Sequence, residues 1–376
     1  MLKLVNSSMN KFKSCFANEP VNLGRQKELD IAKGIAIIFM IFCHSFEVLS
    51  DFFDPGISTD ISYTILDVIL GGSFSAPVFM FCMGISFCYS RKSSARDMAR
   101  RGLTVLGIAF LLEVFRTAIP GLLEWLIFSD PECIEYVYVF FEVDILHFAA
   151  LAILAIALFK KMNLKPYVMV IIAAVCSIVG QLLQWVSTGS TVGDIITGFI
   201  WHSHEYSYFP ILNWLIFPVC GYAFGGIWQR LENKERFFRI VTPICWVISI
   251  IYFIPMVFVG EYYLSGGDYY GMGIGDAIFA FVVCFAMLGL GYYLAKLGGR
   301  VADWLGSMGN RVTSVYCIHW TLYCFMALLL TCVLENYISQ WVMIPASVSV
   351  LIASDLLSRV YINFKRRTKN NSNINI

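Results

Sequence analysis

Apolar residues arrive in this chain in blocks of roughly twenty, the length an α-helix needs to cross about 30 Å of hydrocarbon. Ten such spans are expected, near residues 31–50, 62–90, 102–123, 137–159, 166–186, 208–228, 238–260, 273–295, 312–334 and 341–361. Composition agrees: 58% of the residues are hydrophobic and 14% charged, with mean hydropathy +0.71. A soluble chain carries closer to a quarter charged residues. The expected fold class is therefore an all-α polytopic integral membrane protein.

The charges between the blocks orient them. One set of loops is basic: Lys3, Lys11, Lys13, Arg25 and Lys27; then Arg91, Lys92, Arg96, Arg100 and Arg101; then Lys160, Lys161 and Lys165. It continues with Arg230 to Arg239, Lys296 to Arg311, and Lys365 to Lys369. The alternate loops hold Asp51, Asp54 and Asp60, then Asp130, Glu132 and Glu135. Under the positive-inside rule this means an even number of spans with both termini cytoplasmic. The expected organisation is a cytoplasmic segment over 1–24, one membrane domain over 25–362, and a basic, disordered tail over 363–376. No apolar core with a small-residue cleavage site precedes Arg25, so the first helix is expected to be retained. A net charge of +1 gives no reason to expect nucleic acid as a partner. The cysteines fall mostly inside apolar runs, with Cys15 and Cys133 in loops, and no pairing suits zinc; neither disulfide nor structural metal is expected.

Polar residues inside the spans carry the functional signal, because each costs free energy to bury in a membrane. The first span opens on Asp30 and Lys33 and carries His44. At about 100° per residue, the step from Lys33 to His44 is close to three turns, which puts both on one face about 16 Å apart. The fourth span holds Glu142, Asp144 and His147; the last two are three residues apart, so the carboxylate is expected to orient or charge the imidazole. With the loop charges fixing direction, Lys33 lies near the cytoplasmic face, His44 and the fourth-span cluster in the outer half, and His319 in the inner half of the ninth span. Glu113 and Arg116, one turn apart, read as a self-satisfied pair. Asp67 reads as interfacial and Asp276 as isolated. His202 and His204 read as solvated loop residues. Trp185, Trp201, Tyr206 and Tyr208 form either an interfacial belt or a stacking platform for a sugar.

Five fragments, in order, resemble one family. Leu29-Asp30-Ile-Ala-Lys33-Gly34 with His44 is similar to the opening of the transmembrane acyltransferases, the acyltransferase-3 and heparan-α-glucosaminide N-acetyltransferase-like group. Ser75-Ala-Pro77 through Ser86 resembles the family's second span. Asp144-Ile-Leu-His147-Phe resembles its "GILHF" segment, Phe209 to Gly225 its "FPLLPW…GYALG" span, and Leu305-Gly306 with Tyr316-Cys-Ile-His319-Trp320 its "LG…YLIHWP". Two positions depart: Lys33 stands where the family has arginine, keeping the charge but losing the planar fork, and Asn213 replaces a proline.

The resemblance implies a bacterial-type enzyme of the cytoplasmic membrane that takes an acyl group, usually acetyl, from a cytosolic acyl-CoA. The acceptor would be a hydroxyl or amine of a sugar or small envelope compound on the far side. No bound cofactor or metal is implied; acetyl-CoA is a substrate, with membrane lipids as surroundings and a homo-oligomer as one form. It makes His44 the general base or transient acyl carrier, with Lys33 and Asp30 beside the donor. Asp144, His147, Glu142 and His319 are acceptor-side or supporting candidates. Arg91, Arg96, Arg100 and Arg101 either meet the nucleotide phosphates or only mark topology. Two other classes stay open: a proton-coupled transporter using the buried acids and histidines, and a non-catalytic sensor of the same fold.

Overall fold

A computed structural model describes residues 12–52, 72, 74–128, 139–259, 269–334 and 336–374. Asp67, Cys133 and most of the acidic loop residues named above lie outside the described residues. Apart from an isolated bridge between Phe16 and Leu231, the described chain is helical. Each expected block has its helix: α1 (Lys27–Leu49), α2 (Ala76–Cys88), α3 (Ala95–Phe128), α4 (Ile145–Lys161) and α5 (Pro166–Leu182). After a short α6 (Thr191–Gly198) come α7 (Ile211–Trp228), α8 (Lys234–Val259), α9 (Ile274–Leu297), α10 (Gly299–Asn310), α11 (Val312–Val333) and α12 (Met343–Ile374). Seven of these, α1, α3, α7, α8, α9, α11 and α12, are long and apolar enough to cross a membrane. The blocks expected over 62–90 and 166–186 correspond to the shorter apolar helices α2 and α5. Large apolar side chains such as Leu103, Ile251, Leu329 and Val360 remain on the outside, as the lipid-facing surface of an integral membrane protein requires.

Helix α1 sits at the centre, packed against α2, α9, α10, α11 and α12. Two glycines set its closest contact. A Cβ on Gly34 would run into the Leu305 carbonyl of α10, and one on Gly309 into the Asp30 carbonyl of α1. Backbone cannot step aside as a flexible side chain can, so Gly34→Val costs more than the roughly 1–3 kcal/mol of ordinary overpacking. The expected result is a thermal midpoint far below wild type in detergent, or no monodisperse protein. Helix α10 reaches this position because Gly298 and Gly299, with φ of +68° and +88°, turn the chain sharply after α9.

The basic helix ends gather at one end of the bundle. Lys234 at the start of α8 pairs with Glu28 at the start of α1, and Lys296 at the end of α9 pairs with Glu235. Lys160 at the end of α4 donates to the Ser93 carbonyl just before α3. Residues 12–24 fold back onto this end, with Cys15 buried rather than loop-exposed and Phe16 edge-on to Phe237. The tail expected to be disordered continues α12 as far as Ile374 instead. Its Lys and Arg residues favour helix, and helix α12 is already nucleated by the apolar turns before it.

Candidate active site

His44 lies in the last two turns of α1, its side chain 14% exposed. Its Nδ1 is 2.8 Å from Nε2 of His319 on α11, and the two rings are nearly parallel with centroids 5.1 Å apart. His319 thus lies level with His44, not half a membrane below it. Counting residues from the loops misses this because the relative height of α1 and α11 is set by how the two helices pack, not by where each begins. Tyr323 of α11 donates to the Ile41 carbonyl, fixing the register of the two helices.

The acceptors assign the tautomers. His319 Nδ1 faces the Val315 carbonyl at 3.1 Å, and a carbonyl only accepts, so Nδ1 carries the proton. Neutral His319 then offers a lone pair at Nε2, which accepts from the Nδ1–H of His44. This leaves His44 Nε2 with a lone pair that accepts no hydrogen bond among the described residues, the form a general base needs. That nitrogen lies 3.8 Å from Oε2 of Glu47, one turn further along α1 and 39% exposed. Glu47 also accepts from the hydroxyl of Tyr270 at 3.2 Å. Tyr270 packs on Tyr208, Phe209 and Tyr269, so an aromatic wall stands beside the carboxylate. Glu47 is not among the polar residues that the spans draw attention to; its place three residues after His44 is the signal that could have found it.

On its other side His44 leans on Trp320, with centroids 4.1 Å apart, and Trp320 leads to a buried charged network. Its indole N–H donates to the Tyr316 hydroxyl at 2.7 Å, and that hydroxyl donates to the Asp144 carboxylate at 2.7 and 2.8 Å. The guanidinium of Arg116 lies 3.8 Å from the centre of the Trp320 ring. It also reaches Glu142, Asp144 at 3.5 Å and Glu113 at 3.6 Å. Arg116 and Glu113 are therefore not a self-contained pair. Arg116 is the hub joining α3, α11 and the segment before α4.

Local sequence explains its pose. Pro120 lacks an amide hydrogen, and its ring would clash with the carbonyl four residues back, which is that of Arg116. The helix widens into a π-turn over Val114–Ala118 to accommodate it. Asp144 does not orient His147 as expected. It precedes α4 as an extended residue, and its oxygens turn to Tyr316 and Arg116. His147 is buried edge-on to Phe110 and Phe199, and among the described residues neither ring nitrogen has a hydrogen-bond partner.

Asp30 and Lys33 occupy the basic end. Asp30 Oδ1 holds Lys33 Nζ at 3.2 Å, while Oδ2 accepts from Arg25 at 3.0 Å and Asn310 at 3.2 Å. Fourteen residues separate Asp30 from His44, about 21 Å along the axis, so the two act at different places. Arg91, Arg96, Arg100 and Arg101 are exposed on the approach to and first turns of α3. Arg101 packs 5.1 Å from the Phe87 ring.

His202 is buried rather than solvated, its Nδ1 facing the Ser207 carbonyl, and it stands edge-on beneath Trp185. Burial holds the neighbouring His204 below the ordinary histidine range. Of the four loop aromatics Trp185, Trp201, Tyr206 and Tyr208, Tyr208 joins the wall beside Glu47, while the Trp201 indole donates to the Val186 carbonyl.

Residues 25–260, more than half of the chain, match the family described as heparan-alpha-glucosaminide N-acetyltransferase, catalytic. The chain belongs to that family. Comparison with curated proteins and with solved structures finds no match. Membership makes this a membrane protein of an acetyltransferase kind. The matched stretch contains Lys33, His44, Arg116, Asp144 and His147; Tyr316, His319 and Trp320 lie beyond it and reach the site through α11.

Proposed function

We propose that this acetyltransferase-family protein moves an acyl group, acetyl in the simplest case, across the membrane from acyl-CoA to a sugar or small envelope acceptor. The positive-inside rule sets the basic end in the cytosol, so the donor approaches from the Lys33 side and the acceptor meets His44 from the other. The observation that carries this reading is the free Nε2 of His44, backed by His319 on one side and faced by Glu47 on the other.

His44 acts at Nε2. As base it takes the proton from the acceptor's hydroxyl or amine while that oxygen or nitrogen attacks the thioester carbonyl. The carbon–sulfur bond then breaks, and the CoA thiolate leaves and takes up a proton. As carrier, Nε2 attacks the carbonyl first and the carbon–sulfur bond breaks, releasing the CoA thiolate; the acceptor then attacks the acyl-imidazolium, the nitrogen–acyl bond breaks, and the acceptor's proton ends on the thiolate. Either course makes His44 transiently cationic, and the Glu47 carboxylate at 3.8 Å stabilises that charge. Lys33, steadied by Asp30 at the basic end, balances the donor's negative charge.

Donor binding tests the reading. Acetyl-CoA at a hundred times its Kd stabilises the purified protein by about 2.7 kcal/mol. Lys33→Met is expected to raise the donor KM more than tenfold, and Lys33→Arg to retain most of the affinity. The buried carboxylates around Arg116 are the one feature that favours a proton-coupled transporter; a protein that no acyl-CoA stabilises would turn the assignment that way. Acyl-CoA binding without turnover on a panel of sugars and amines would leave a sensor.

A further inference from the structure

At the basic end a cavity of about 580 Å³ opens between α1, α10 and the ends of α9 and α12. That volume falls in the range of small-molecule sites. Its wall includes Arg25, Lys27, Asp30, Asn310, Arg311 and Arg366. Arg25 is committed to Asp30, and Arg311 to Asp355 at 2.6 Å and to Ser358. Among the described residues Lys27 and Arg366 form no ion pair, so α1 and α12 each present an uncommitted cation to the cavity. The wall is net positive, since four cations face only Asp30 and Asp303.

We infer that this cavity receives the phosphorylated nucleotide end of the acyl-CoA donor, with Lys27 and Arg366 as its phosphate-binding side chains. The inference rests on the donor reading above. Asp30 supplies the geometric link: one of its oxygens faces the Arg25 and Asn310 side of the cavity, and the other holds Lys33 one turn further in. From Asp30 to His44 is about 21 Å along the helix. The diphosphate and pantetheine arm of CoA, extended, match about six residues of extended chain, roughly 20 Å. The arm of a donor whose nucleotide is seated here is thus as long as the distance from Asp30 to His44. Arg91, Arg96, Arg100 and Arg101 do not line the cavity. The helical continuation of α12 brings Arg366 to it.

Phosphate chemistry is shared by nucleotides and by anionic lipid headgroups, so the test separates them. The full chain, purified in detergent, is titrated calorimetrically with CoA, 3′-dephospho-CoA and S-acetylpantetheine, and its retained phosphatidylglycerol is counted by native mass spectrometry. Lys27→Ser/Arg366→Ser is expected to weaken CoA at least tenfold and to collapse the preference for CoA over S-acetylpantetheine. Lys27→Arg/Arg366→Lys keeps both, which rules out misfolding as the cause. Unchanged CoA affinity in the serine variant, together with weakened CoA in Arg96→Ser/Arg100→Ser, overturns the inference while leaving the donor reading in place. Loss of retained phosphatidylglycerol without loss of CoA affinity assigns the cavity to a headgroup and overturns it too. A wild-type protein that binds no CoA fails the donor reading and this inference with it.

Discussion

His44→Ala lowers acyl transfer by a factor of about 10²–10⁴, the contribution of a positioned general base, and by more if the imidazole carries the acyl group. The variant is expected to insert and purify as wild type. The side chain's hydrogen bond is to His319, and a partly exposed alanine there leaves little cavity. His319→Gln is the informative companion. A glutamine amide at that position can still accept from the Nδ1–H of His44, so the working tautomer survives and the loss stays well below that of His44→Ala. Steady-state rates on purified protein, with elution profiles as the folding control, measure both. Equal losses in the two variants would make the histidine pair a single catalytic unit, and would contradict a base at His44 merely oriented by His319.

Arg116→Met carries the largest expected effect on stability. Among the described residues the guanidinium is the cation shared by Glu113, Glu142 and Asp144, and it stacks on Trp320. Breaking a buried ion pair by removing one partner costs about 3–5 kcal/mol, because the other partner is left charged and dry. Here three carboxylates lose their cation together. That loss is comparable to the whole stability of many proteins, about 5–15 kcal/mol, so Arg116→Met is expected to yield little folded protein. Glu142→Gln placed in the same chain should restore part of it, since it removes one of the stranded charges. Thermal unfolding of the single and double variants decides the point, and an Arg116→Met protein that melts like wild type would remove Arg116 from the centre of the network.

How legible the site is in the sequence differs from residue to residue. The helical blocks, and His44 and Lys33 on α1, follow from local rules: a span length and a three-turn spacing within one helix. Arg116 reads as satisfied by Glu113 because a three-residue spacing is sufficient for a pair. Its decisive partners, Glu142, Asp144 and Trp320, come from other segments, and only the packing of α3 against α4 and α11 brings them in. Pro120, four residues after Arg116, is the local mark of an altered turn. Asp144 illustrates the opposite error. Its spacing to His147 implies a shared helix face, but α4 begins one residue later, which frees the carboxylate to turn away. Counting each span from its own loop places His319 too deep, because the packing of α11 on α1, with Tyr323 on the Ile41 carbonyl, sets their relative height.

The central claim is that His44 passes an acyl group from a CoA thioester on the basic side to an acceptor on the other. Proteoliposomes holding a panel of amino sugars and hydroxylated sugars inside, with the basic end of the protein outward, are supplied with [14C]acetyl-CoA in the bath. The expected result is label on an enclosed acceptor with the wild-type protein and none above background with His44→Ala. Labelled acceptor at the wild-type rate in His44→Ala, or none with the wild-type protein on any acceptor, would contradict it.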